Sequence, residues 1–244
     1  MQESLAITQL LNHLFAGPVD KLLLAVGLHP ANPATPIDNT FALELLVVMG
    51  FIAFFCLVRA SLSVEKPGTA QQYAEVIHET IGGLAEQSIG HGYRPFQSFV
   101  TCVFLFIVTC NLLGLIPGID AHTMSPYVPL GLAVTVFIYY NFHGIRTQGP
   151  IGYLKHFAGP IWWIAWLLFP IEIISHLARM MSLTIRLWAN MFAGDLVTLV
   201  FFSLFPVGLT LPFLVLHLGV SVIQAFVFML LSMIYLGQAV AHEH

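Results

Sequence analysis

The chain has 244 residues, of which 58% are hydrophobic and only 8% charged, with a formal net charge of -4. Soluble domains carry roughly a quarter charged residues, so this composition excludes an ordinary globular domain and describes a polytopic membrane protein. Eight Lys and Arg residues in all leave no basic patch for nucleic acid.

The first segment, residues 1–40, lacks the cationic start of a signal peptide. Leu5, Leu10, Leu11, Leu14 and Phe15 predict a short interfacial helix. Residues 28–39, with three prolines and two asparagines, read as loop. A first span is expected at 41–62, long enough for the roughly 20 residues that a bilayer crossing needs. Residues 63–69 break it.

Residues 70–90 have a different pattern. Tyr73, Val76, Ile77, Ile81 and Leu84 recur at helical spacing, and Gln71, Gln72, Glu75, His78, Glu79 and Glu86 fill the other side. This predicts an amphipathic surface helix. Its acidic face argues against attraction to anionic lipid. Further spans are expected at 95–117 and 126–144, joined by a loop that holds Asp120. A polar, glycine-rich loop with Arg146 and Lys155 follows the second of these. Cys56, Cys102 and Cys110 all fall in apolar runs without metal-type spacing, and read as small buried hydrophobes.

Residues 161–205 contain no loop signal. As one helix they would extend about 65 Å, twice the roughly 30 Å hydrocarbon core. The expectation is a strongly tilted helix, kinked if anywhere at Pro170. A turn at 205–208 and a last helix to residue 241 complete a long hairpin. The fold class is therefore an all-α polytopic membrane protein with five membrane helices and one amphipathic helix, in one membrane domain. Arg59, Lys66, Arg94, Arg146 and Lys155 fall on one side of these spans and Lys21 on the other. By the positive-inside rule the N-terminus is outside, and the amphipathic helix and C-terminus are cytoplasmic.

Inside the hairpin lie Glu172, His176, Arg179, Arg186, Asn190 and Asp195. Each charge at the centre of a membrane helix costs about 2.5–3.5 kcal/mol on insertion scales, so several in one segment point to use. Glu172, Arg179 and Arg186 are spaced by seven and share a helical face, with Asn190 one turn beyond Arg186. Ser175, Ser182 and Ala189 form a parallel row of small residues, which permits close helix approach. Asp195 lies about 180° around the helix from Arg186.

Folding the hairpin at residue 205 sets Asp195 level with His217 and Arg186 level with Gln224. Glu172 and His176 then lie toward the inner end. Asp, His and Glu can exchange protons, whereas Arg keeps its charge. A fixed cation between an outer Asp/His pair and an inner Glu suits two separated proton paths. Simpler readings compete: His217 as a packing residue, Glu172 with Arg179 as a structural ion pair, and Ser182 and Ala189 as packing. Arg186 has no acidic residue one or two turns away, so its counter-charge is expected from elsewhere, with a partner favoured.

The segment SLTIRLWANMFAGDLV (182–197) closely resembles the signature of subunit a of the F-type ATP synthase. Pro170-x-Glu172-x-x-Ser175, Asn111-x-x-Gly114-x-x-Pro117 and His217-x(6)-Gln224-Ala225-Phe226 resemble further patterns of that family, and YLGQAVAHEH resembles its ending. The resemblance covers about residues 95–244. It implies a proton-conducting stator in a bacterial inner membrane, beside a ring of c subunits that each carry one membrane carboxylate. The b subunits of the peripheral stalk and the rest of the ATP synthase are the other implied partners.

On this resemblance Arg186 faces the ring carboxylate. Asp195, His217 and Gln224 belong to an external half-channel with Asn190 nearby, and Glu172, Ser175 and His176 to an internal one. Asp195 stands where the family usually has His or Glu. No nucleotide loop or nucleophile constellation is present in the sequence, so neither intrinsic catalysis nor a cofactor is expected. The alternatives are a proton- or sodium-coupled secondary transporter, against which the lack of an internal repeat counts, and a structural assembly subunit.

Overall fold

The computed structural model describes residues 6–25, 37, 39–63, 68–90, 92–115, 125–149, 152–153, 162–204, 208 and 210–240. Most of the expected loop at 28–39, Leu5, Lys66, Asp120, Lys155, the turn residues Phe205, Pro206 and Val207, and the terminal HEH lie outside them. The described residues are almost wholly helical, and the chain divides into two compact units, Met1–Lys66 and Pro67–His244.

The first unit holds α1 (Ala6–Ala25) and α2 (Asn39–Ala60). α1 is longer than the short helix expected there and continues through Pro18. The Asn12 side chain ties the two helices together through the segment before α2. It accepts from the Ile37 N–H at 3.0 Å and donates to the Ile37 carbonyl at 3.0 Å. α2 leaves Phe41, Met49, Ile52 and Leu57 exposed on a helix that is apolar all round, as a span surrounded by lipid requires.

The second unit holds α3 (Thr69–Ile89), α4 (Arg94–Leu113), α5 (Tyr127–Gln148), α6 (Trp162–Leu204) and α7 (Thr210–Val240). α7 is its hub and packs against α3, α4, α5 and α6. Phe228, Met229, Met233 and Leu236 are its largest fully buried side chains. Among the described residues, five helices are long and apolar enough to cross a membrane: α2, α4, α5, α6 and α7. α6 runs unbroken through Pro170 for 43 residues, about 65 Å. A helix of that length fits a roughly 30 Å hydrocarbon layer only when steeply inclined.

α3 departs in detail from its expected pattern. Ile81 and Ala85 pack with Met229 and Met233 of α7, but Tyr73 and Val76 are exposed. Gln71, expected on the polar side, is buried and donates to Glu75 Oε1 at 2.7 Å. The apolar stripe is longer than the surface that α4 and α7 offer it. Cys110 is buried as expected, whereas Cys56 and Cys102 are exposed. Apolar runs in membrane helices face lipid as readily as a core, so hydrophobicity did not separate the two cases.

α3 and α7 meet at Gly237, where an added Cβ would lie 2.5 Å from the Ser88 carbonyl oxygen. That neighbour is backbone and cannot swing aside. Gly237→Ala is expected to loosen α3 from α7 at a cost of about 1–3 kcal/mol. Hydrogen exchange should show faster amide exchange in α3, and exchange no faster than in the parent protein would contradict the close contact.

Candidate functional site: a polar seam between two long helices

Three contacts fix the register of α6 against α7. The Phe201 and Phe213 rings stack with centroids 4.0 Å apart. Asn190 Nδ2 donates to Gln224 Oε1 at 2.9 Å. The Arg179 guanidinium lies 5.2 Å from the centroid of the Tyr235 ring. Successive contacts are eleven residues apart on both helices. Eleven residues are about three turns, so the contacts recur along one seam.

This register corrects the depth count made from the sequence. α6 ends at Leu204 and α7 starts at Thr210, so the hairpin midpoint falls two residues later than 205. Gln224 is therefore level with Asn190, one turn closer than Arg186 to the hairpin's turn. The residue level with Arg186 is Phe228, which is fully buried.

The group nearer the hairpin's turn is built around His217, a buried side chain on α7. Gly194 of α6 admits its ring: a Cβ there would lie 2.7 Å from His217 Cδ2 and 2.8 Å from Nε2. Nε2 itself is buried without a hydrogen-bond partner among the described residues. Asp195, the next residue on α6, is close enough to act electrostatically on the ring. Ser221 donates to the His217 carbonyl at 2.7 Å, and the fully buried Asn111 of α4 donates to the Ser221 carbonyl at 3.1 Å. A third helix thus braces the α7 backbone beneath the histidine.

Arg186 stands apart from this group. It is half-buried, and its Nη2 donates to Ser182 Oγ at 3.3 Å. Among the described residues no carboxylate lies within ion-pair distance of it. Among the described side chains of α6, the buried ones are Leu183, Leu187 and Met191, which join the core that α4, α5 and α7 also line. On the helical wheel Arg186 and Asp195 fall on opposite flanks of that row. Met181, Ile185 and Phe192 are exposed on the side of α6 away from it.

The group farther from the hairpin's turn is a connected network. Glu172 Oε1 lies 3.3 Å from His176 Nε2 and 3.8 Å from Arg179 Nη2. His176 Nδ1 lies 2.8 Å from the hydroxyl of Tyr140 on α5. Tyr153 donates to Asn141 Oδ1 at 2.8 Å. Burial pushes the Tyr153 hydroxyl above its ordinary range, and both Arg179 and Glu172 act on it. Ser175 is half-buried one turn from Glu172. Arg179 touches both Glu172 and the Tyr235 ring.

The sequence reading missed Tyr140, Asn141 and Tyr153. A signal was present, since Tyr139-Tyr140-Asn141 interrupts an otherwise apolar α5. Among the described residues no group of three His, Cys, Asp or Glu side chains could hold a metal ion.

The chain matches the family described as ATP synthase A chain over residues 41–237. It is 48% identical to ATP synthase subunit a of Koribacter versatilis over the full length of both chains. It is 43% identical to ATP synthase subunit a of Solibacter usitatus over 96% of this chain and 99% of that one. A third relative, ATP synthase subunit a of Solidesulfovibrio magneticus, is 41% identical over 93% and 95%. With its apolar helices of membrane-spanning length and a charged seam between the last two, the chain belongs to the ATP synthase subunit a family, a multi-pass membrane component of the ATP synthase complex in ATP synthesis and proton transport.

Proposed function

We propose that this chain is the proton-conducting stator of the membrane sector, carrying protons along two offset paths to and from carboxylates on a rotating c-ring. The observation that supports this reading most is Arg186. Its half-buried guanidinium has no counter-carboxylate among the described residues, on a helix whose neighbouring surface is exposed and apolar. An intramembrane cation in that setting suits a partner carboxylate that arrives and leaves. Arg keeps its charge throughout, so it can unload a carboxylate but cannot pass a proton along.

The outer path uses Asp195, His217 and Gln224, with Asn190 bonded to Gln224. The inner path uses Glu172, Ser175 and His176. Arg186 is nine residues from Asp195 and ten from His176, about 15 Å along the helix in each direction. That distance is too long for direct proton transfer past it, so a proton must ride the ring between the paths. The chain hydrolyses nothing itself. The b subunits are its stationary partners, its N-terminus is outside and its C-terminus cytoplasmic in a bacterial inner membrane.

The test is purification from native membrane with mild detergent. The expected result is co-purification with an oligomeric ring of small two-helix proteolipids and a soluble ATPase, and ATP-driven acidification when the complex is reconstituted. Ion transport by the chain alone, without a ring, would overturn the reading in favour of a secondary transporter.

A further inference from the structure

We propose that Tyr140 is a positioning residue for the inner proton path, setting the tautomer of His176 so that its Nε2–H grips the Glu172 carboxylate. This rests on the reading of Glu172 as the inner proton-carrying group. His176 is held at both ring nitrogens, with Tyr140 Oη 2.8 Å from Nδ1 and Glu172 Oε1 3.3 Å from Nε2.

The directions of these bonds follow from donor arithmetic. An ionised carboxylate only accepts, so Nε2 must carry a proton when Glu172 is charged. A neutral imidazole has one N–H, which leaves Nδ1 as an acceptor. Tyr140 must then donate. When one proton is taken up, the Nε2 proton passes to the carboxylate and the incoming proton rests on Nδ1, so that the Glu172 O–H donates to Nε2. The Tyr140 oxygen then accepts from Nδ1–H. A hydroxyl can do both by rotating, so the ring keeps its place through both states of Glu172. A phenyl ring can do neither.

The surrounding residues hold this geometry. Tyr140 is 2% exposed, with its ring at the core between α5, α6 and α7. Asn141, the next residue on α5, donates to the Phe137 carbonyl at 2.7 Å and accepts from Tyr153 at 2.8 Å. Arg179 Nη2 lies 3.8 Å from the same Glu172 Oε1, and its guanidinium sits over Tyr235, whose ring is 6.3 Å from that of Tyr140. One carboxylate oxygen therefore meets both a fixed cation and a ring whose hydrogen-bonding direction Tyr140 governs.

The test uses the assembled complex in inverted membrane vesicles, with proton flux normalised to the amount of this subunit in assembled complex. Tyr140→Phe keeps the buried ring and removes only the hydroxyl. It is expected to lower flux about threefold to tenfold, the worth of one hydrogen bond. His176→Gln, which cannot span both partners, should lower flux at least as much. Adding Tyr140→Phe to His176→Gln should then change nothing further, which a merely structural role for Tyr140 would not produce.

Unchanged flux in Tyr140→Phe, or an undiminished loss when it is added to His176→Gln, would overturn the inference. Glu172→Gln separates the two levels of the argument. If it lowers flux while Tyr140→Phe does not, only the role of Tyr140 fails. If Glu172→Gln leaves flux intact, the inner-path reading itself fails.

Discussion

Replacing Arg186 with Lys is expected to abolish ATP-driven proton pumping in membrane vesicles, a loss of about 10²-fold or more, while the complex still assembles. Charge is conserved in this variant, so a purely structural cation would tolerate it. Two properties are not conserved. A desolvated ammonium can give up its proton, whereas the guanidinium does not. The flat fork of Arg, with its Nη2 already held by Ser182, also has a fixed direction that a flexible ammonium lacks. Arg186→Ala should go further and open a passive leak, because no fixed cation would then separate the two paths. Fluorescence quenching of a pH-sensitive dye on adding ATP measures pumping, and the rate of dissipating an imposed gradient measures leak. Pumping retained in Arg186→Lys would sink the separator role.

The second large effect is expected from the outer group. Asp195→Asn and His217→Ala should each slow proton flux by about 10²-fold, the range typical of losing one positioned acid or base. His217 is buried against Gly194, whose missing Cβ leaves the room that its ring fills. Its Nε2 has no hydrogen-bond partner among the described residues, and a buried polar atom of that kind is costly unless something else serves it. A proton-carrying water is the natural partner. Both losses should be milder than that of Arg186→Ala, since water can still enter a damaged path. Unchanged flux in both variants would remove the outer relay, whatever the fate of Arg186.

Much of the fold was legible because membrane helices announce themselves by length. Twenty apolar residues have few other uses, and the absence of any turn signal from 161 to 205 already required one long inclined helix. The seven-residue spacing of Glu172, Arg179 and Arg186 likewise put them on one face, and Glu172 does lie 3.8 Å from Arg179. What periodicity could not supply was depth across the hairpin. A two-residue error in the turn moved Gln224 from Arg186 to Asn190. The polar partners on α5 escaped for a related reason: Tyr140 lies 36 residues from His176, and no pattern along one helix can register a contact with another.

By itself, then, the sequence determined that the chain crosses a membrane, that α6 is too long to stand upright, and that its charges fall on two sides of one helix. These are local properties, fixed by hydrophobicity and the 3.6-residue period. The tertiary structure decided which helix is central, which residues are level, and what holds each titratable group. α7, the less charged of the pair, is the hub of its unit, because its buried row of Phe228, Met229, Met233 and Leu236 gives four helices a common surface. α6 carries the charges and packs through one narrow row, leaving its other flank exposed. That division follows from close packing, which depends on side-chain shape between helices and leaves no trace in the order of residues along either one.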